Sequence, residues 1–220
     1  MSARRAPPNA PRRDAATRER LIAAATRLFA QRGFNAVGVR ELARAARANV
    51  AAVNYHFDDK LGLYRVVVHA AVDAMRSGDD AFLTAAAGVS PEEQLRTYVT
   101  GYLPRIASSD DRTAWIHDLM RHEMSEPTPL APWIAEHGIL PRIEYLAGVV
   151  SKLLDCQPND PRVPRCVISI QAQCLFYRPD RFRTAAFKGW PVSSAELAAI
   201  ADHIVEFSLA GIQRIRRRVK

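Results

Sequence analysis

Val37–His56, read VGVRELARAARANVAAVNYH, is the stretch that most restricts what this chain can fold into. Leu42, Ala43 and Ala46 fall at i, i+1 and i+4, an apolar face at helical spacing. Val50, Val53 and Phe57 repeat the signal at i, i+3 and i+7. Arg47-Ala48 lies between them, followed by Asn49, whose side-chain oxygen can accept a backbone N–H from the first turn of a second helix. The spacing therefore predicts two short helices joined by a tight turn, with Ala51, Ala52, Asn54, Tyr55 and His56 facing outward. Small side chains at the start of that face permit close approach, and the larger polar ones can reach phosphates. Such a surface suits a DNA major groove.

The rest of the chain reads as helix broken by proline and capping signals. Only 10 glycines occur in 220 residues, and Ala/Leu/Arg-rich segments dominate. Asp14 can cap a first helix running to Arg32, with Leu21, Ala25, Leu28 and Phe29 inward and Gly33 as its stop. Asp58-Asp59 opens a fourth helix whose inner face is Leu61, Tyr64, Val68, Ala71 and Met75, continuing past Gly78 to about Ala87. Ser90-Pro91-Glu92-Glu93 restarts a helix to about Ala107, and another spans roughly Arg112–Met124. Glu126-Pro127-Thr128-Pro129 forces an extended break, and a helical stretch to Cys156 restarts at Pro141. Asn159-Asp160-Pro161 opens the next helix, and Ser193-x-x-Glu196 boxes the start of a last one reaching about Arg217. This predicts an all-α protein of about nine or ten helices. Residues 1–13 form a basic arm, 14–74 a three-helix head containing the motif 37–56, and 75–220 a larger helical body.

Charge and cysteine content narrow the function classes. A formal net charge of +8 favours a polyanionic partner. Residues 1–13 hold four arginines and three prolines, a composition read as a disordered tail that can track DNA or simply stay solvated. The three cysteines are widely spaced with no C-x-x-C pair, which argues against a metal or redox site and for a reduced, cytoplasmic chain. No apolar run of about 18 residues is present, so no membrane span is expected. No glycine-rich cofactor loop occurs, and no cofactor is expected.

Thr17–Tyr64 resembles the DNA-binding domain of the tetracycline-repressor (TetR) family of transcriptional regulators. The resemblance rests on Ala25-x3-Phe29-x3-Gly33-Phe34, Leu42-Ala43-x2-Ala46, Val53-Asn54-Tyr55-His56-Phe57 and Lys60-x2-Leu63-Tyr64, in order over about 50 residues. It implies that Val50, Ala51, Ala52 and Asn54 lie where bases are contacted, and that Tyr55, His56 and Lys60 grip phosphates. Arg40 and Arg44 on the preceding helix are candidates for the same role, and Arg47 and Asn49 share that surface. Two departures stand out. Val37-Gly38-Val39 replaces the Thr/Ser pair that usually opens the first motif helix, so a hydroxyl cap is missing. Arg47 replaces the usual turn glycine; if that turn needs a positive φ, arginine costs about 1 kcal/mol there.

In the body, Trp115–Met124 (WIHDLMRHEM) with Glu126–Pro129, and Gln171–Tyr177 (QAQCLFY), resemble the C-terminal domain of a TetR subgroup linked to antibiotic sensitivity and transport. This implies a small-molecule effector cavity, for which Trp115, His117, Met120, Arg121, Met124, Gln173 and Tyr177 are candidates. On the last helix Leu197, Ala201, Ile204, Ser208, Gly211 and Ile215 form one stripe, which the family likeness assigns to a homodimer bundle and which can equally pack inside one subunit. The expected function is a DNA-binding regulator, a repressor released by effector from a near-palindromic double-stranded operator. Two rivals remain: a ligand-binding adaptor without DNA binding, and a helical-bundle enzyme using His117, His122 and Glu123. No nucleophile–base–orienter set supports the enzyme, and His122-Glu123 lacks the second histidine of a metalloprotease helix.

Overall fold

A computed structural model describes residues 10–85, 88–107, 111–179, 185–187 and 192–218. Its elements are α1 (Ala10–Arg32), α2 (Val39–Ala45), α3 (Val50–Phe57), α4 (Lys60–Ala85), α5 (Pro91–Ala107), α6 (Asp111–Ser125), α7 (Ala131–Ile134), a π-helical turn (Ala135–Ile139), α8 (Leu140–Leu154), α9 (Arg162–Phe176) and α10 (Ser194–Arg217). No strand occurs among the described residues, and the all-α expectation holds. No described helix is long and apolar enough to cross a membrane.

Capping chemistry sets most of the boundaries. The Ser90 hydroxyl accepts from Glu93 N at 3.2 Å, starting α5 beside Pro91. Ser193 and Glu196 complete a reciprocal capping box at α10, and those hydrogen bonds hold the Glu196 carboxyl below its ordinary pKa. Asp160 opens α9 by accepting from Arg162 N and its guanidinium, which pulls the carboxyl down to about 2. Pro141 sits in the first turn of α8, as its missing N–H predicts. Helix α1 starts earlier than expected. It begins at Ala10, so Asp14 lies within the helix rather than capping it, and residues 10–13 of the supposed arm are helical. Residues 1–9 of that arm lie outside the described set.

The chain forms two compact units, Met1–Asp73 with Asp111–Ile134, and Ala74–Asp110 with Ala135–Lys220. The segment carrying α6 thus belongs with the first unit, whereas the sequence assigns it to the body. Burial explains this. Leu21, Ala25 and Phe29 of α1, Leu63, Tyr64 and Val67 of α4, and Ile116 and Leu119 of α6 are all buried, and α1 packs on α6. Phe29, Phe34 and Tyr64 form an aromatic cluster with centroids 4.9–6.0 Å apart.

In the second unit α5, α8, α9 and α10 enclose one apolar core that includes Leu95, Leu103, Leu146, Val150, Ile170 and Val205. The stripe on α10 expected to meet another subunit is largely used here: Ala201, Ile204 and Ser208 are buried, Leu197 and Ile215 half-buried, and only Gly211 lies open. The side of α10 facing solvent is offset from it and carries His203, Phe207 and Ala210.

Candidate nucleic-acid interface

The motif is built by local backbone chemistry. Gly38 starts α2 in an extended conformation (φ −93°, ψ 150°) with no side-chain cap, as its lack of a hydroxyl dictates. The turn follows at Arg47, whose φ of +51° is the left-handed conformation that glycine adopts more cheaply. Ala48 N donates back to Ala43 O at 2.9 Å, closing α2. Asn49 then caps α3, its side-chain oxygen accepting from Ala51 N at 3.0 Å. From α1, Arg20 Nε donates to Ala46 O at 3.0 Å and fixes the turn against the head.

Helix α3 is anchored by Val53 and Phe57, both buried, with Arg18 5.4 Å from the Phe57 ring centroid. The opposite face is open: Ala51 and Asn54 are exposed, Ala52 is half-buried and Tyr55 is 76% exposed. Val50, assigned by periodicity to the buried stripe, is 38% exposed at the first helical position. Arg40, Arg44, Arg47 and Asn49 are exposed as well. These residues lie on α2, the turn and α3.

Two predicted phosphate contacts are placed otherwise. His56 does not face outward: its side chain is 8% exposed, and Nε2 lies 3.4 Å from Asp14 Oδ1 on α1. Position 56 falls one step beyond Tyr55 around the helix, which turns the ring toward α1. Lys60 gives two of its three N–H donors to Phe34 O (3.1 Å) and Val37 O (3.2 Å), and stands 4.1 Å from the Phe34 ring centroid. Its ammonium group donates to carbonyls of the α1–α2 loop, of which Phe34 O also accepts from Val37 N at 3.4 Å.

Sequence reasoning missed three residues that hold this surface. A Cβ at Gly62 would stand 1.9 Å from Phe57 O, so only glycine lets the first turn of α4 approach the end of α3. Glu123 is buried on α6 and accepts from Tyr64 Oη (2.5 Å), Thr128 Oγ1 (2.8 Å) and Thr128 N (3.2 Å). Burial, and then the bond to Glu123, push the Tyr64 phenol above its usual pKa. The carboxylate proposed as an acid–base group is therefore occupied by structural donors. The third is Arg20. A polar Glu in a helical run carries no sign that it is buried, and Arg20 gave no periodic signal.

The effector candidates divide between the units. Trp115, His117, Met120, Arg121 and Met124 lie on α6 in the first, and Gln173 and Tyr177 at the end of α9 in the second. Arg121 pairs with Asp118 at 2.9 Å on an exposed helix face, and Met124 is 76% exposed. Neither points into a core. Gln173 donates to Ser208 Oγ at 3.2 Å. No group of three or more metal-ligating side chains occurs among the described residues.

Residues 21–67 match the family described as bacterial regulatory proteins, tetR family, and residues 91–212 match the C-terminal domain of the HTH-type transcriptional dual regulator CecR. The CecR dual regulator of Shigella flexneri is 22% identical over 196 residues, covering 86% of this chain and 87% of that protein. An uncharacterized HTH-type transcriptional regulator of Mycobacterium tuberculosis is 31% identical over 104 residues, covering 47% of this chain. That match spans only about half (50%) of the mycobacterial protein's length. Among solved structures, AibR in complex with isovaleryl coenzyme A and operator DNA has the same fold, with a TM-score of 0.60 at 18% identity over 87% of this chain and 97% of that one.

Proposed function

The chain belongs to the tetR family of bacterial regulatory proteins, with the C-terminal domain of the CecR kind, and from that premise we propose that it is a ligand-responsive transcriptional regulator that binds double-stranded DNA through α3. The observation that carries this reading is the division of α3 into a buried side (Val53, Phe57) and an open one (Ala51, Asn54, Tyr55). Asn54 is the side chain suited to a bidentate adenine contact, and alanines beside it can pack on a thymine methyl. In this reading Arg40, Arg44, Arg47 and the Tyr55 hydroxyl fix register on phosphates.

The regulator acts as a homodimer in this reading. The second unit leaves Ile168 (67% exposed), Leu175 and Phe176 on α9 and Phe207 (64% exposed) on α10 open to solvent. Ile168 and Leu175 also line a groove of about 620 Å³ with Ile143, Ala147, Val163 and Val167. Exposed apolar side chains of this size support an association surface. A second copy on it would present two α3 helices to half-sites about one DNA turn (~34–36 Å) apart, a near-palindrome. Repression is relieved when an effector in the second unit changes α4, the helix whose residues enter both units.

A gel shift of the full chain against the DNA upstream of its own gene, beside random DNA of equal length, tests this. The upstream fragment should be bound at least about a thousandfold more tightly, and affinity should fall steeply with salt. Equal affinity for both DNAs, or a salt-insensitive complex, contradicts the reading.

A further inference from the structure

The core of the second unit contains a polar layer made by two helices in register. Tyr98 and Tyr102, four apart on α5, are buried with ring centroids 5.7 Å apart. Arg142 and Tyr145, three apart on one face of α8, meet them in turn. The Arg142 guanidinium lies 4.5 Å from the Tyr102 centroid, and the Tyr145 ring is stacked at 14° and 6.3 Å from Tyr98. Asp79, buried near the end of α4, gives one oxygen to Arg142 Nη1 (3.2 Å) and the other to Arg105 Nη1 (3.0 Å). Arg105 rests against Gly78, where a Cβ would meet its guanidinium at 2.1 Å.

Arg142 thus receives half a carboxylate while only 8% exposed. Its Nε is buried with no hydrogen-bond partner, and so is the Tyr145 hydroxyl. Leaving a buried donor unmet is costly, more so on a charged group, and two in one layer require an acceptor.

We propose that this layer is an anion subsite, in which Arg142 Nε and the Tyr145 hydroxyl donate to a small organic carboxylate whose flat apolar body lies against the tyrosine rings. The inference rests on reading the second unit as effector-binding, and it names the effector's chemistry. Both unmet groups can donate, and a carboxylate offers two acceptor oxygens in the geometry a guanidinium matches. A monoanion suits the charge: Arg142 is already partly neutralised by Asp79, and a phosphate dianion would leave excess negative charge among buried rings. Asp79 belongs to α4, so a ligand that draws Arg142 away loosens the bond between α4 and α8. That gives the effector a route to the helix shared by both units.

The test is calorimetric titration and thermal melting of the full-length protein, without DNA, using benzoate, its neutral analogue benzamide, and inorganic phosphate. Benzoate should bind and raise the melting temperature, with benzamide and phosphate at least about tenfold weaker. Tyr145→Phe, which removes only the hydroxyl, should weaken benzoate about tenfold with the unliganded melting temperature nearly unchanged. Arg142→Lys should weaken it at least as much; if that variant fails to fold, Tyr145→Phe decides alone. Benzamide equal to benzoate, phosphate equal or tighter, Tyr145→Phe binding like the parent, or no probe binding at all (both donors left to water) would each overturn the proposal. Benzoate binding with no operator binding would sink the regulator reading and leave the subsite standing; operator binding with no benzoate binding would do the reverse.

Discussion

Arg47 is a strained residue at the centre of the motif. Its φ of +51° costs an L-residue about 1 kcal/mol more than glycine, and no hydrogen bond of its side chain is seen to offset that. Arg47→Gly is therefore expected to raise unfolding stability by about 1 kcal/mol, read by urea denaturation, while weakening DNA binding if the guanidinium reaches a phosphate. A loss of stability would show that Arg47 makes a compensating contact. The turn at Arg47 and its cost were legible in the sequence, because a glycine position in a tight turn is defined by backbone geometry. The roles of His56 and Lys60 were not. Each matches a family position, yet the imidazole turns to Asp14 and the ammonium to two carbonyls. Which way a polar side chain turns depends on neighbours 20 or more residues distant, and periodicity does not report those.

At the scale of elements, the junction between α3 and α4 determines how the reading helix is held. Phe57 O approaches Gly62 so closely that Gly62→Ala must move one helix relative to the other. Overpacking of this kind typically costs about 1–3 kcal/mol. The variant should melt lower and bind DNA more weakly; unchanged melting would mean that the junction yields without strain. Helix ends were read well from Ser90-Pro91, Ser193-x-x-Glu196 and Pro141, since caps act within one turn. The grouping of helices was read less well. Membership of α6 in the first unit depends on Glu123 meeting Tyr64 and on Ile116 and Leu119 being buried, contacts between residues far apart in sequence. The α10 stripe was ambiguous for a related reason: helical period locates an apolar face but does not say whether the same chain or another copy covers it.

For the molecule as a whole, the account requires two copies. Ile168→Glu with Phe207→Glu places charge on open apolar positions without touching the core, so the variant should fold. Sedimentation should show a dimeric parent and a monomeric variant, and operator affinity should drop with dimerisation. A variant that remains dimeric would move the subunit contact elsewhere. By contrast Ile204, 1% exposed, belongs to the core, and a charge there would unfold the second unit.

The central claim is that the open face of α3 reads sequence, and the ratio of affinities for upstream and random DNA in Asn54→Ala tests it most directly. That ratio should fall about tenfold to a hundredfold, with the salt dependence unchanged because no phosphate contact is removed. An unaltered ratio, or an equal loss on both DNAs, would contradict it.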